Sequence, residues 1–122
     1  MSDSERHERG EAITTGMWGK PPQGNEVSQE MIDITVDHLF GDIWSRPGLN
    51  LRDRSMITVT TLVVTGKEAQ LKAHLKGALA NGVTRDEIKE MMIHLAHYGG
   101  WPSAMTGLTV AKAVFDEVDG EA

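Results

Sequence analysis

Between His74 and Pro102 the chain places histidines at 74, 94 and 97 and a tyrosine at 98, with an Asn81-Gly82 turn between the first and the rest. Imidazole titrates nearest to neutral pH, which makes these residues the first candidates for general acid or base chemistry. His74 falls between Leu71, Leu75 and Ala78 on the apolar side of a helical repeat. There it can move a proton, or it can be a core histidine satisfied by one hydrogen bond. His94 and Tyr98 are four residues apart and share one helix flank beside Met91. That spacing suits a proton donor with a hydroxyl anchor in one pocket, or an amphipathic edge packed on a neighbouring helix. His97 lies opposite the core side of the same helix, near Glu90 and between Ile93 and Trp101, and reads as exposed or interfacial. Glu90, His94 and His97 have the helical spacing of metal ligands. With no fourth ligand and no His-Glu-X-X-His pattern, no metal site is expected. Upstream, Trp44-Ser45-Arg46-Pro47-Gly48 is a rigid turn bearing an aromatic ring and a guanidinium. Arg46 there can clamp a carboxylate bidentately, cap a helix C-terminus, or pair with Asp42 or Asp53.

Positioning these groups falls to a chain of 122 residues, enough for one domain with a modest core. The formal net charge is −6, so no basic field favours nucleic acid or an acidic membrane. There is no cysteine, which excludes disulfides, thiolate nucleophiles and thiol redox chemistry. The polar N-terminus and the lack of a long apolar run point to a cytoplasmic protein without signal peptide or membrane span. The seven methionines read as core filler.

The periodicity predicts an all-α bundle of five to six helices, with an N-terminal arm at 1–27, a helical domain at 28–118 and an acidic tail at 119–122. In the arm, a short helix is expected around Arg6–Met17, then a loop at Trp18–Val27. Ser28 suits an N-cap, with Met31, Ile34, Thr35, His38 and Leu39 as the helical stripe until Gly41 and the Arg46-Pro47-Gly48 turn interrupt it. Asn50 and Asp53 suit the start of the next helix, which Gly66 closes. Its β-branched run SMITVTTLVVTG favours a strand on propensity. The cap and the length favour a helix, apolar on nearly all sides and therefore central and buried. Leu71, Leu75, Ala78 and Leu79 stripe the following helix, with Lys72 and Lys76 outward, the small residues Ala73, Gly77 and Ala80 as a strip, and Asn81-Gly82 as its left-handed stop. Thr84 to Glu87 is a capping box for a helix with Ile88, Met91, Met92 and Leu95 inward. After Gly99-Gly100, Pro102 starts a last helix running to about Val118, with Met105, Leu108, Ala111 and Phe115 inward. Asp116, Glu117, Asp119 and Glu121 are expected to serve solubility. Helices apolar on more than one face in so short a chain suggest that subunits share a core.

The segments Gly41-Asp42-Ile43-Trp44-Ser45-Arg46-Pro47-Gly48-Leu49, Arg52 to Leu62, Leu71 to Glu90, and Tyr98, Gly100 and Pro102 together resemble the carboxymuconolactone decarboxylase family. The likeness covers roughly Leu39 to Phe115. It implies an alkylhydroperoxidase D-like helical fold assembled as a homo-oligomer, trimer or hexamer. The family's redox branch carries Cys-x-x-Cys ahead of the histidine; Lys67 and Gln70 stand at those places here, so thiol peroxidase activity is excluded. The other branch implies a lyase of aromatic-compound catabolism that works without cofactor or metal. Its substrate class is a small carboxylated lactone, γ-carboxymuconolactone or a related acid. Such a reaction needs a carboxylate clamp, donors for an enolate oxygen, and a proton donor. On that resemblance His74, His94 and Tyr98 are the expected catalytic residues, and Arg46, Trp44 and Trp101 the substrate-binding ones. His94, Trp101 and Met105 depart from the branch's usual Gln, aliphatic residue and Asn. They would reshape the pocket, so isomerisation or cyclisation of another small molecule, or non-catalytic binding, are the alternatives.

Overall fold

Ser2 opens the first helix: its hydroxyl accepts a hydrogen bond from the Glu5 N–H at 3.1 Å. Helix α1 (Asp3–Trp18) then ends at Gly19, which takes φ +83° and returns its N–H to the Thr15 carbonyl at 2.7 Å. It is longer than the expected Arg6–Met17, because the cap lies further upstream. This computed structural model describes residues 2–121, which form six helices, the second continuing into a π stretch, with no strand among the described residues. No helix among them is long and apolar enough to cross a membrane.

The chain forms two compact units, one up to Leu51 and one from Arg52 onward. The sequence reading divided it at residue 27 instead, setting the first helix apart as an arm. In the first unit, α2 (Gln29–Ile34) runs without a break into a π-helical stretch, Thr35–Trp44. The start at Ser28 is where the sequence placed it, but Ser28 makes no side-chain cap. Asn25 organises the turn instead, its Oδ1 accepting from the N–H groups of Val27 (2.8 Å) and Ser28 (3.0 Å). The expected stripe is corrected here. Met31, Ile34, His38 and Leu39 are exposed, and Val36, Phe40, Gly41 and Trp44 are buried. A π-helix has a longer repeat than the 3.6 residues on which that stripe was drawn. Gly41 does not interrupt the helix either. A Cβ at Gly41 would overlap the Arg6 carbonyl oxygen, and one at Gly10 would overlap that of Val36. These two glycines let α1 and the π stretch approach backbone to backbone. Arg9 donates to the Gly41 carbonyl (3.0 and 3.2 Å), and Arg6 pairs with Asp42 at 2.8 Å. Met17, Phe40 and Trp44 fill the space between, with Trp18 edge-on to Phe40.

The second unit is built on α3 (Leu51–Val64), α4 (Glu68–Ala80), α5 (Arg85–Ala96) and α6 (Trp101–Glu121). The β-branched α3 is a helix, as expected. Thr58, Thr61 and Thr65 each return a hydroxyl to the carbonyl four residues back, which absorbs their polar groups locally. It is not buried all round: Ser55, Val59 and Val63 form a single inward row, while Ile57 and Val64 are exposed. Leu71, Leu75 and Ala78 of α4, Ile88, Met92 and Leu95 of α5, and Ala111 and Val114 of α6 complete the core. Of the small strip on α4, only Gly77 is buried; Ala73 and Ala80 are exposed.

Gly82 takes φ +98°, and the Val83 N–H closes onto the Ala78 carbonyl at 2.9 Å, ending α4 where the sequence stops it. The capping box is present in both directions, Glu87 N–H to Thr84 hydroxyl at 3.1 Å and Thr84 N–H to Glu87 carboxylate at 3.0 Å. On α6 the inward row is Ala104, Gly107, Ala111 and Val114. Met105 is 54% exposed, one position off the expected stripe, because the Met92 thioether sits against Gly107 and fixes the rotation of α6. The acidic C-terminus continues α6 rather than forming a tail. Glu117, Asp119 and Glu121 pair with Lys72 (3.1 Å), Arg85 (2.5 Å) and Lys76 (2.8 Å), tying α6 to α4 and α5. Residue 122 lies outside the described residues.

Candidate active site

The end of α5 brings two of the sequence candidates together. His94 and Tyr98 stack with ring centroids 4.9 Å apart and an interplanar angle of 30°, the contact their four-residue spacing predicts. Both are exposed, Tyr98 by 80%. His94 also lines a hollow of about 370 Å³ between α3 and α5, walled by Met56, Ile57, Thr60, Thr61, Met91 and Leu95. A second hollow shares Met56, Met91 and His94 and adds Glu87 and Glu90. Helix α5 itself is fixed here by Arg52, whose guanidinium hydrogen-bonds Glu87 while its other nitrogen lies 3.4 Å from the Met56 sulfur. Arg52 and the Thr84 cap hold the Glu87 carboxyl down to about 2, so it stays ionised across the whole physiological range.

His74 occupies the inward side of α4, half-buried, one turn from Leu71 and Ala78. Its Nδ1 is sealed from solvent, and burial pushes the imidazole below its ordinary pKa of 6.5. Charging the ring there means stripping water from it, so His74 is a neutral imidazole at pH 7. It is not among the residues that wall the His94 hollow. His97 is exposed, its Nδ1 donating to the Ile93 carbonyl at 2.9 Å and its ring edge-on to Trp101 at 5.4 Å. Trp101, the first residue of α6, is 61% exposed. Among the described residues no three His, Asp or Glu side chains gather as a metal site.

One cavity in this unit was not anticipated. At the corner where α3 ends and α4 and α6 begin, a cavity of about 170 Å³ is lined by Lys67, Glu68, Leu71, Ser103 and Thr106, among others. The available signal was the row Lys67, Leu71 and His74, spaced i, i+4, i+7 as on one helix face.

The first unit holds Arg46 and Trp44 on the wall of one hollow of about 440 Å³, with Ile13, Ser45, Pro47 and Leu49. Trp44 is 6% exposed and packs at 5.2 Å on Phe40, so most of its ring supports the core. Arg46 is exposed on the turn after it.

Residues 29–113 match the sequence profile of the carboxymuconolactone decarboxylase family. The chain belongs to that family. All six expected site residues lie inside the matched span. The chain is 32% identical to the 4-carboxymuconolactone decarboxylase of Acinetobacter baylyi, over 97% of this chain and 92% of the other. It is 35% identical to the nitrosuccinic acid decarboxylase of Metarhizium robertsii, over 71% of this chain and 62% of the other. An uncharacterized 15.0 kDa protein of Paracoccus denitrificans is 34% identical over 67% of this chain and 63% of its own length.

Proposed function

We propose that this chain is a decarboxylase of small carboxylic acids that needs no cofactor, with γ-carboxymuconolactone or a closely related acid as substrate. The observation that carries this reading is the 32% identity to a 4-carboxymuconolactone decarboxylase over nearly the whole of both chains. The acids named for two relatives share one chemical property. When the bond to the departing carboxyl carbon breaks, a lactone carbonyl or a nitro group can draw the electron pair onto oxygen. CO₂ leaves, an enolate or nitronate forms, and a carbon then takes a proton. The step is redox-neutral, so it consumes no oxidant or reductant.

The environments support the following roles. Neutral His74 suits an N–H donor to the oxygen that gathers charge, since a buried neutral donor needs no counter-ion. His94, exposed and stacked on Tyr98, suits the proton carrier that solvent recharges, with the Tyr98 hydroxyl as its neighbour. Arg46 is proposed as a carboxylate clamp with the exposed edge of Trp44 beside it in the first unit, and Trp101 as an apolar contact in the second. Self-association is part of the proposal. Val27 at 88% exposure, Met31 at 67% and Trp101 at 61% leave apolar surface that a homo-oligomer would cover.

The test is turnover of 4-carboxymuconolactone in D₂O, followed by NMR. The proposal expects loss of one carboxyl group and one deuterium fixed at carbon in the product. Deuterium exchange without loss of CO₂ would instead identify an isomerase, and an inert folded protein would overturn the enzymatic reading.

A further inference from the structure

The hollows of the second unit differ in charge, and a small acid discriminates between them. Beside His94, the wall holds the carboxylates Glu87, which is paired with Arg52, and Glu90. A carboxylate entering there finds the Arg52 guanidinium already engaged by Glu87 and a further carboxylate at Glu90. The cavity at the α3, α4 and α6 corner is different. Its lining includes Lys67, Ser103 and Thr106 beside the apolar Leu62, Val63, Leu71 and Pro102. A few converging polar groups over an apolar floor is the pattern of a small-molecule site.

We propose that this cavity is a carboxylate-binding site for a small dicarboxylic acid, with Lys67 as its cation and Ser103 and Thr106 as hydroxyl donors. It rests on the reading above that the substrate is a small acid, and it adds a residue that reading did not use. The cavity has room for several non-hydrogen atoms and no more, at about 170 Å³. The Leu71 N–H bonds the Lys67 carbonyl at 2.8 Å, which makes Lys67 the N-cap of α4, its own backbone still outside the helix (φ −94°, ψ 72°). From that cap Leu71 lies about one turn and His74 about two turns along α4, roughly 10 Å on by helical rise. Glu68 is the one acidic side chain on the wall, and it opposes binding.

The experiment is titration of the full chain with succinate and with its neutral analogue succinamide, read by calorimetry and by amide chemical shifts. Succinate should shift Gly66, Leu71, Ser103 and Thr106, and succinamide should not. Lys67→Gln should weaken succinate about tenfold, the scale of one lost charge-assisted hydrogen bond. Lys67→Arg should restore binding, Ser103→Ala should weaken it a few-fold, and Glu68→Gln should tighten it. Lys67 and Glu68 are exposed, so their variants leave the core untouched. Unchanged affinity in Lys67→Gln, or shifts confined to residues around Arg46 or His94, would overturn the assignment. The two readings fail separately. Succinate bound at Lys67 by a protein that releases no CO₂ removes the decarboxylase and keeps the site. Turnover with an unaltered KM in Lys67→Gln removes the site and keeps the decarboxylase.

Discussion

His74→Asn tests whether burial sets the state of the central imidazole. An unfolded chain binds a proton at this residue with a pKa near 6.5. In the folded chain, desolvation on the inner side of α4 lowers that value. Above about pH 7 the ring is neutral in both states and contributes no pH dependence. As pH falls through 6.5, the unfolded chain takes up a proton that the folded chain refuses. Stability is then lost, by at most about 1.4 kcal/mol per pH unit for one proton, until the folded pKa is reached. The asparagine variant lacks this slope. His7 acts in the opposite direction: its hydrogen bond to Asp37 raises its pKa, so its contribution is lost as pH rises. It is present in both proteins and cancels in the difference. Urea unfolding of both proteins by circular dichroism, from about pH 5 to about pH 8, gives that difference directly. The wild-type advantage should be constant above pH 7 and fall below about pH 6.5. Parallel curves across the range would mean that His74 titrates alike in both states, and the case for a neutral buried donor would fail.

Other consequences follow from particular contacts. His94→Gln should lower kcat by about 10²- to 10⁴-fold while leaving KM within a few-fold, as expected for a lost proton carrier; steady-state kinetics at neutral pH decides it. Thr84→Ala removes one arm of the capping box and should cost about 1 kcal/mol, measured by urea unfolding. Gly10→Ala should expose α1 to rapid amide exchange, because its Cβ meets the Val36 carbonyl backbone, which cannot yield as a side chain could. Slow exchange in Gly10→Ala would show that α1 and the π stretch are less closely packed than the structure has them.

Local signals were legible and tertiary ones were not. Thr84 with Glu87, and Asn81 with Gly82, act within one turn of their own helix, so sequence alone located them. The stripe through Met31, Ile34 and Leu39 failed because the buried row Val36, Phe40 and Trp44 belongs to a π-helical stretch. Its spacing is set by the close approach of α1 at Gly10 and Gly41, which no local pattern announces. Met105 was misplaced by one position for a similar reason, the pairing of Gly107 with Met92 across two helices. At the site, the His94–Tyr98 stack followed from helical spacing. The burial of Trp44 did not, since an aromatic before a turn serves a core or a ligand equally well. Lys67 was hidden because Ser103 and Thr106, which share its cavity, are more than thirty residues away in sequence.

Release of CO₂ from 4-carboxymuconolactone and from nitrosuccinic acid by the purified full chain bears most directly on the central claim. The account predicts release from at least one of them above the uncatalysed rate, at one equivalent per turnover and without any added cofactor, and sharply reduced in His74→Asn. A folded protein that releases no CO₂ from either acid, or a His74→Asn variant as active as the wild type, would contradict it.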